Sequence, residues 1–97
     1  MYVYILFSAS RDRYNIGETL DIEQRLVQHR TGFFRRSSTA NTYDWALVLA
    51  IPCVDRSVAR RLEAFLKRQR NRVSLQRFIL NEAYRRTLLR ERFDIDP

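Results

Sequence analysis

A chain of 97 residues, 45% hydrophobic and 30% charged, has room for one domain with a modest core and none for a second active lobe. Its one cysteine, Cys53, excludes an intrachain disulfide and suits a reducing compartment. The chain opens with neither a signal-peptide pattern nor an apolar run of membrane-spanning length, so the expected setting is cytoplasmic and away from membranes.

The formal net charge of +7 is spread unevenly. Residues 1–55 hold six arginines against six acids, whereas residues 56–92 hold eleven arginines and Lys67 against Glu63, Glu82 and Glu91, a net of +9. A one-sided basic half is the electrostatic footprint of a nucleic-acid partner, which it would attract through phosphate contacts and counterion release. Seventeen arginines to one lysine is also what a GC-rich coding sequence would produce, so charge alone does not choose the partner.

Residues 2–8, YVYILFS, are β-branched and aromatic, which predicts a strand, and their blurred alternation suits one covered on both faces. A polar connection at 9–13 leads to a second strand at 14–17; the link is too short for a parallel crossover, so the pair is an antiparallel hairpin. Gly17, one of only two glycines, marks either a tight turn or a close approach to the backbone. Asp21 with Gln24 forms a capping pair that opens a helix over 22–30. That helix buries Ile22 and Leu26 and stops at Gly32 in the C′ position. TGFFRRSSTANTYD reads as a polar, basic loop that exposes Phe33 and Phe34, and WALVLAIPCV as a buried strand ended by Pro52. Asp55 caps a second helix with an apolar stripe of Val58, Leu62, Phe65 and Leu66. Ser74 caps a third that carries Leu75, Phe78, Ile79 and Leu89 among many arginines. The order β-β-α-β-α-α predicts an α+β domain, a small, mainly antiparallel three-stranded sheet flanked by helices.

Zinc spacing, a phosphate-binding GxxxxGK[ST] loop and a GxSxG elbow are all missing. Cys53 lies in an apolar strand and reads as core rather than nucleophile. Arg25 and His29 share one helix face at i, i+4 and could look toward the end of the second strand, although such a pair is more often solvated surface. Glu63 sits among Arg60, Arg61, Lys67 and Arg68, either as an ordinary helical ion pair or as a hard-oxygen ligand for Mg²⁺. Tyr2 and Tyr4 point to one strand face, and Tyr14 lies in the neighbouring strand. They read as aromatic packing, or as a phenol placed to orient or deprotonate water beside a phosphate.

In order and spacing these pieces together resemble the GIY-YIG nuclease superfamily, especially small single-domain bacterial members similar to the UvrC N-terminal nuclease domain. YVY at 2–4 resembles the first motif and NIG at 15–17 the second. DIEQRLVQH resembles the helix that carries the family arginine, here Arg25, with His29 following, and RSVARRLEAFLKR the helix that carries the metal-binding glutamate, here Glu63. The similarity spans residues 2–80, and residues 81–97, the end of the last helix and an acidic tail, complete the same domain. The resemblance implies a metal-dependent endonuclease that hydrolyses DNA phosphodiester bonds in repair or processing, with one divalent metal, Mg²⁺ or Mn²⁺. Tyr4 would help activate water, Arg25 offset charge on the phosphoryl oxygens, Glu63 hold the metal, and His29 assist proton transfer or bind phosphate. Gly17 would permit close substrate approach, and Arg35, Arg36 and Lys67 would contact substrate.

The chain departs from the pattern where the second motif has tyrosine, because Asn15 stands there. Asparagine can hydrogen-bond water or phosphate but is no base near neutral pH. Tyr14, one place earlier, belongs to the opposite strand face. The residue after Gly17 is Glu18, which would either repel phosphate or help bind metal. The alternative functions are a nucleic-acid-binding module of the same fold that has lost cleavage, and an interaction domain that meets a protein partner or a second copy through Phe33, Phe34 and the C-terminal helix.

Overall fold

The computed structural model describes residues 1–31, 42–69 and 71–96. Those residues form β1 (Tyr2–Ser8), β2 (Arg13–Thr19), α1 (Ile22–Arg30), β3 (Ala46–Pro52), α2 (Arg56–Lys67), α3 (Arg72–Leu80) and α4 (Glu82–Phe93). The three strands make one antiparallel sheet in the order β2-β1-β3, so the first strand is central and the other two are its edges. The α+β class, the antiparallel sheet and the opening hairpin are as the sequence predicts.

β1 is buried from Val3 to Leu6 because helices cover the sheet on both sides. Its alternate residues serve different cores. Val3 and Ile5 join Ile51, Ala59, Leu62, Leu66, Leu75, Phe78 and Leu89 under α2, α3 and α4. Tyr4 and Leu6 join Trp45, with Ile22 and Leu26 of α1 packed against them. This division follows from the period of two along a strand, and it assigns every β2 residue to a side as well. Gly17 lies opposite Tyr4 and Asn15 opposite Leu6, which places both on the α1 side. Tyr14, Ile16 and Glu18 belong to the other.

The hairpin turn holds Asp12 at φ 52°, a left-handed conformation that aspartate tolerates better than most residues. Two distant groups pin this turn. The Asp44 carboxylate accepts hydrogen bonds from Ser8 Oγ (2.6 Å), Ser10 N (2.8 Å) and Ser10 Oγ (3.0 Å). Arg72, at the start of α3, donates to Asp12 Oδ2 (2.8 Å) and to the Asp12 carbonyl (2.6 Å).

Asp21 and Asp55 cap α1 and α2 as expected, accepting from Gln24 N (3.0 Å) and Val58 N (2.9 Å). The α1 helix ends with Thr31 as its C-cap, whose N–H donates to Val27 O at 2.9 Å; Gly32 and the loop with Phe33, Phe34, Arg35 and Arg36 lie outside the described residues.

The last third differs from expectation. One long third helix capped by Ser74 is instead two helices, and the cap of the first is Asn71, which accepts from Ser74 N at 2.9 Å. Asn81 breaks the run. Its backbone is non-helical, its N–H closes α3 on Arg77 O (2.9 Å), and its side chain caps α4 by accepting from Tyr84 N (3.0 Å). The carbonyls that α3 exposes at its end are met by Arg85, which donates to Phe78 O (3.1 Å) and Ile79 O (2.8 Å). The bend lets Leu75 and Phe78 of α3 and Leu89 and Phe93 of α4 enter the same core. Asp94, left-handed at φ 54°, then turns the chain so that Ile95 N bonds Leu89 O (3.0 Å) and Ile95 is buried.

Candidate active site

The α1 side of the sheet gathers the chemistry. Tyr4 is 4% exposed, and its hydroxyl lies 3.2 Å from Nε2 of His29, itself 5% exposed. The strand supplies the phenol and the last turn of α1 the imidazole, which sits between Tyr4 and Trp45 in edge-to-face packing.

Gly17 explains how the phenol reaches its position. A Cβ built on Gly17 would lie 2.6 Å from Tyr4 Cζ and closer still to the hydroxyl. The Tyr4 ring therefore crosses β2 above the one residue without a side chain, toward the edge of the sheet. The close approach expected at Gly17 is made by the protein's own tyrosine.

Two charges bear on this phenol. Burial pushes the Tyr4 hydroxyl above its ordinary pKa, the Arg25 guanidinium pulls it down, and the Glu63 carboxylate pushes it up again. A side chain of α1 and one of α2 thus act on a single hydroxyl, although α2 packs on the opposite face of the sheet. Burial, reinforced by the Arg25 cation, lowers His29 to about 4. Both partners of the 3.2 Å contact are neutral near pH 7, so the imidazole tautomer sets which of them donates: the phenol when Nε2 is bare, the imidazole when Nε2 carries the proton.

Glu63 is half-buried, and Lys67 Nζ stands 2.7 Å from its Oε1. Lys67, expected to touch substrate, pairs with this carboxylate one helical turn away. Among the described residues no group of three or more His, Cys, Asp or Glu could hold a metal. The donor chemistry nonetheless fits a hard cation, since Mg²⁺ accepts one carboxylate and fills its shell with water and phosphate oxygens. Glu63 would be its protein ligand.

The remaining expected residues separate by strand face. Asn15, half-buried, shares the face of Tyr4 and Gly17. Tyr14 does not reach this cluster: its ring packs 4.8 Å from Phe7 and 5.3 Å from the Arg72 guanidinium, on the side of α3. Glu18 also faces away from the phenol, and its carboxylate lies 3.5 Å from Arg60 Nε and 4.0 Å from Arg56 Nε. Arg35 and Arg36 lie outside the described residues. Cys53 is buried in the core, where burial raises its thiol pKa, as suits a packing residue. Sequence reasoning missed the Asp44 clasp on Ser8 and Ser10; a partner 34 or 36 residues away leaves no local pattern to find.

No curated protein and no solved structure gives a significant match to this chain. The family model described as the GIY-YIG catalytic domain matches residues 1–77, most of the sequence, and that span contains Tyr4, Gly17, Arg25, His29 and Glu63. On this match, over the stretch that builds the phenol–imidazole cluster, the chain belongs to the GIY-YIG family of nucleases.

Proposed function

We propose that the protein is a divalent-metal-dependent endonuclease that hydrolyses DNA phosphodiester bonds in repair or processing. The observation that carries this reading is the Tyr4 hydroxyl, hydrogen-bonded to His29 and under the opposing electrostatic influence of Arg25 and Glu63.

Each residue has a task that its surroundings suit. The Tyr4 oxygen, oriented by Gly17 beneath it and His29 beside it, aligns the attacking water. His29, lowered to about 4, is a weak base in the free protein. A bound phosphate would bring negative charge beside it and raise its proton affinity when a proton must leave the water–phenol pair. Arg25 offsets charge that builds on the phosphoryl oxygens, an effect commonly worth about 10²–10³ in rate per donor. Glu63 would hold Mg²⁺ or Mn²⁺, which supplies Lewis-acid stabilisation of the leaving oxygen when bound. Lys67 balances the Glu63 carboxylate in the meantime. The net +9 of residues 56–92 would attract the strand.

Incubation of nicked, branched and single-stranded DNA with Mg²⁺ or Mn²⁺ tests this. Wild type should cut at least one substrate, and Glu63→Ala should cut it about 10² or more slowly, as expected for loss of a metal ligand. Equal product from both proteins on every substrate would refute the reading. Asn15 favours one rival, a nucleic-acid-binding module without cleavage. That rival predicts salt-sensitive binding unchanged by Glu63→Ala and Arg25→Ala, with no product from wild type.

A further inference from the structure

A cavity of about 300 Å³ opens between α2 and α4, lined by Phe65, Gln69, Tyr84, Thr87, Leu88, Glu91 and Arg92. Phe65 follows Glu63 by two residues on α2, about 200° around the helix axis, so the cavity and the Glu63 carboxylate lie on opposite sides of that helix. The cavity is separate from the Tyr4 cluster. We infer that it is a binding site for an unpaired nucleobase of a single-stranded nucleic acid.

Size limits what the cavity can enclose. The volume sits at the lower end of small-molecule sites, enough for one base and its sugar and too small for a peptide helix or a folded partner. The lining suits a base rather than a phosphate. Phe65, Tyr84 and Leu88 give it aromatic and apolar surface, and Glu91, beside Arg92, a carboxylate that accepts from base amino or imino groups but would repel phosphate. The Gln69 amide is fixed in place by donating to Phe65 O at 3.0 Å.

Cations for the flanking phosphates are held against aromatic rings, and one of them, Arg92, lines the cavity itself. The Arg77 guanidinium lies 4.0 Å from the Tyr84 ring centre, Arg92 5.4 Å from Phe65, and Arg61 5.6 Å from Phe93, which packs on Phe65. Stacking fixes these side chains in advance, so less conformational entropy is lost when they meet a strand. An aromatic pocket edged by guanidinium groups is the pairing that sequence-tolerant single-strand sites use.

The inference does not depend on cleavage, so its test is run with Glu63→Ala in metal-free buffer. Fluorescence anisotropy would follow a labelled oligodeoxycytidine of about 12 nucleotides, the same strand with abasic sites at its centre, and a duplex of equal length. The base-bearing strand should bind about tenfold more tightly than the abasic strand, the effect of one stacked base. Thr87→Trp, at an exposed position, should fill the cavity and remove that advantage without changing the dependence of affinity on salt. Arg77→Gln should reduce the salt slope by about one. Equal binding of base-bearing and abasic strands would overturn the site. So would undiminished preference in a Thr87→Trp protein that melts like its parent; should that variant misfold, the abasic comparison decides alone.

Discussion

At the scale of single residues, the site depends on a missing methyl group. β1 and β2 run in antiparallel register with Tyr4 against Gly17, and any side chain at 17 would occupy the space of the phenol. The ring is buried, so it has little room to yield. Gly17→Ala should therefore push the Tyr4 hydroxyl off His29 Nε2 and destabilise the fold by about 1–3 kcal/mol, the usual cost of overpacking. Urea denaturation and the cleavage assay together check this, and a variant matching wild type in both would show that the ring moves freely. Gly17 could be singled out in the sequence, but its reason could not. Glycine in a strand has several uses, and only the cross-strand pairing names Tyr4 as the neighbour. The one-residue offset between Asn15 and Tyr14 was legible for the opposite cause, since alternation along a strand is purely local.

At the scale of elements, two helix starts were readable from an aspartate whose side chain reaches a backbone N–H three residues on, whereas Asn71, which caps α3 in the same way, was passed over for Ser74. The two aspartates are Asp21 and Asp55. The break at Asn81 was missed because the residues on both sides are good helix formers, and a mid-run asparagine costs a helix only a few tenths of a kcal/mol. What decides it is tertiary: with the bend, two apolar stripes reach one core, and Arg85 takes up the carbonyls that the bend exposes. Asn81→Ala should thus cost about 1 kcal/mol, the usual value of an N-cap. A denaturation midpoint equal to wild type would argue against the double cap.

For the molecule as a whole, acid stability should register the buried imidazole. His29 is held near 4 in the folded protein and would titrate near 6.5 when unfolded, so between those values the unfolded chain binds the extra proton. Folding stability should accordingly fall as pH drops from about 6.5 to about 4, by at most about 3 kcal/mol. Thermal melts across that window should show the loss in wild type and less of it in His29→Leu; identical slopes would refute the assignment. A lower window belongs to Asp44, whose bonds from Ser8 and Ser10 depress its carboxyl to about 2 from an ordinary 3.8. Its contribution is present above 3.8 and is lost as pH falls through 2, so the two groups separate on the pH axis.

Class, strand order along the chain, the first two helix starts and the basic bias all follow from local pattern, because propensity, capping and alternation act over a few neighbouring residues. The family likeness was legible too, because the order and spacing of the motifs around Tyr4, Gly17, Arg25, His29 and Glu63 are properties of the chain itself. Only the folded chain decided that the Tyr4 ring fills the space over Gly17, that Glu18 turns to Arg56 and Arg60, that Asp44 clasps the first hairpin, and that α3 and α4 are two helices. Each joins groups through space, most of them far apart along the chain, and the free energy that selects it comes from burial and hydrogen bonding that exist only once the sheet and helices have packed.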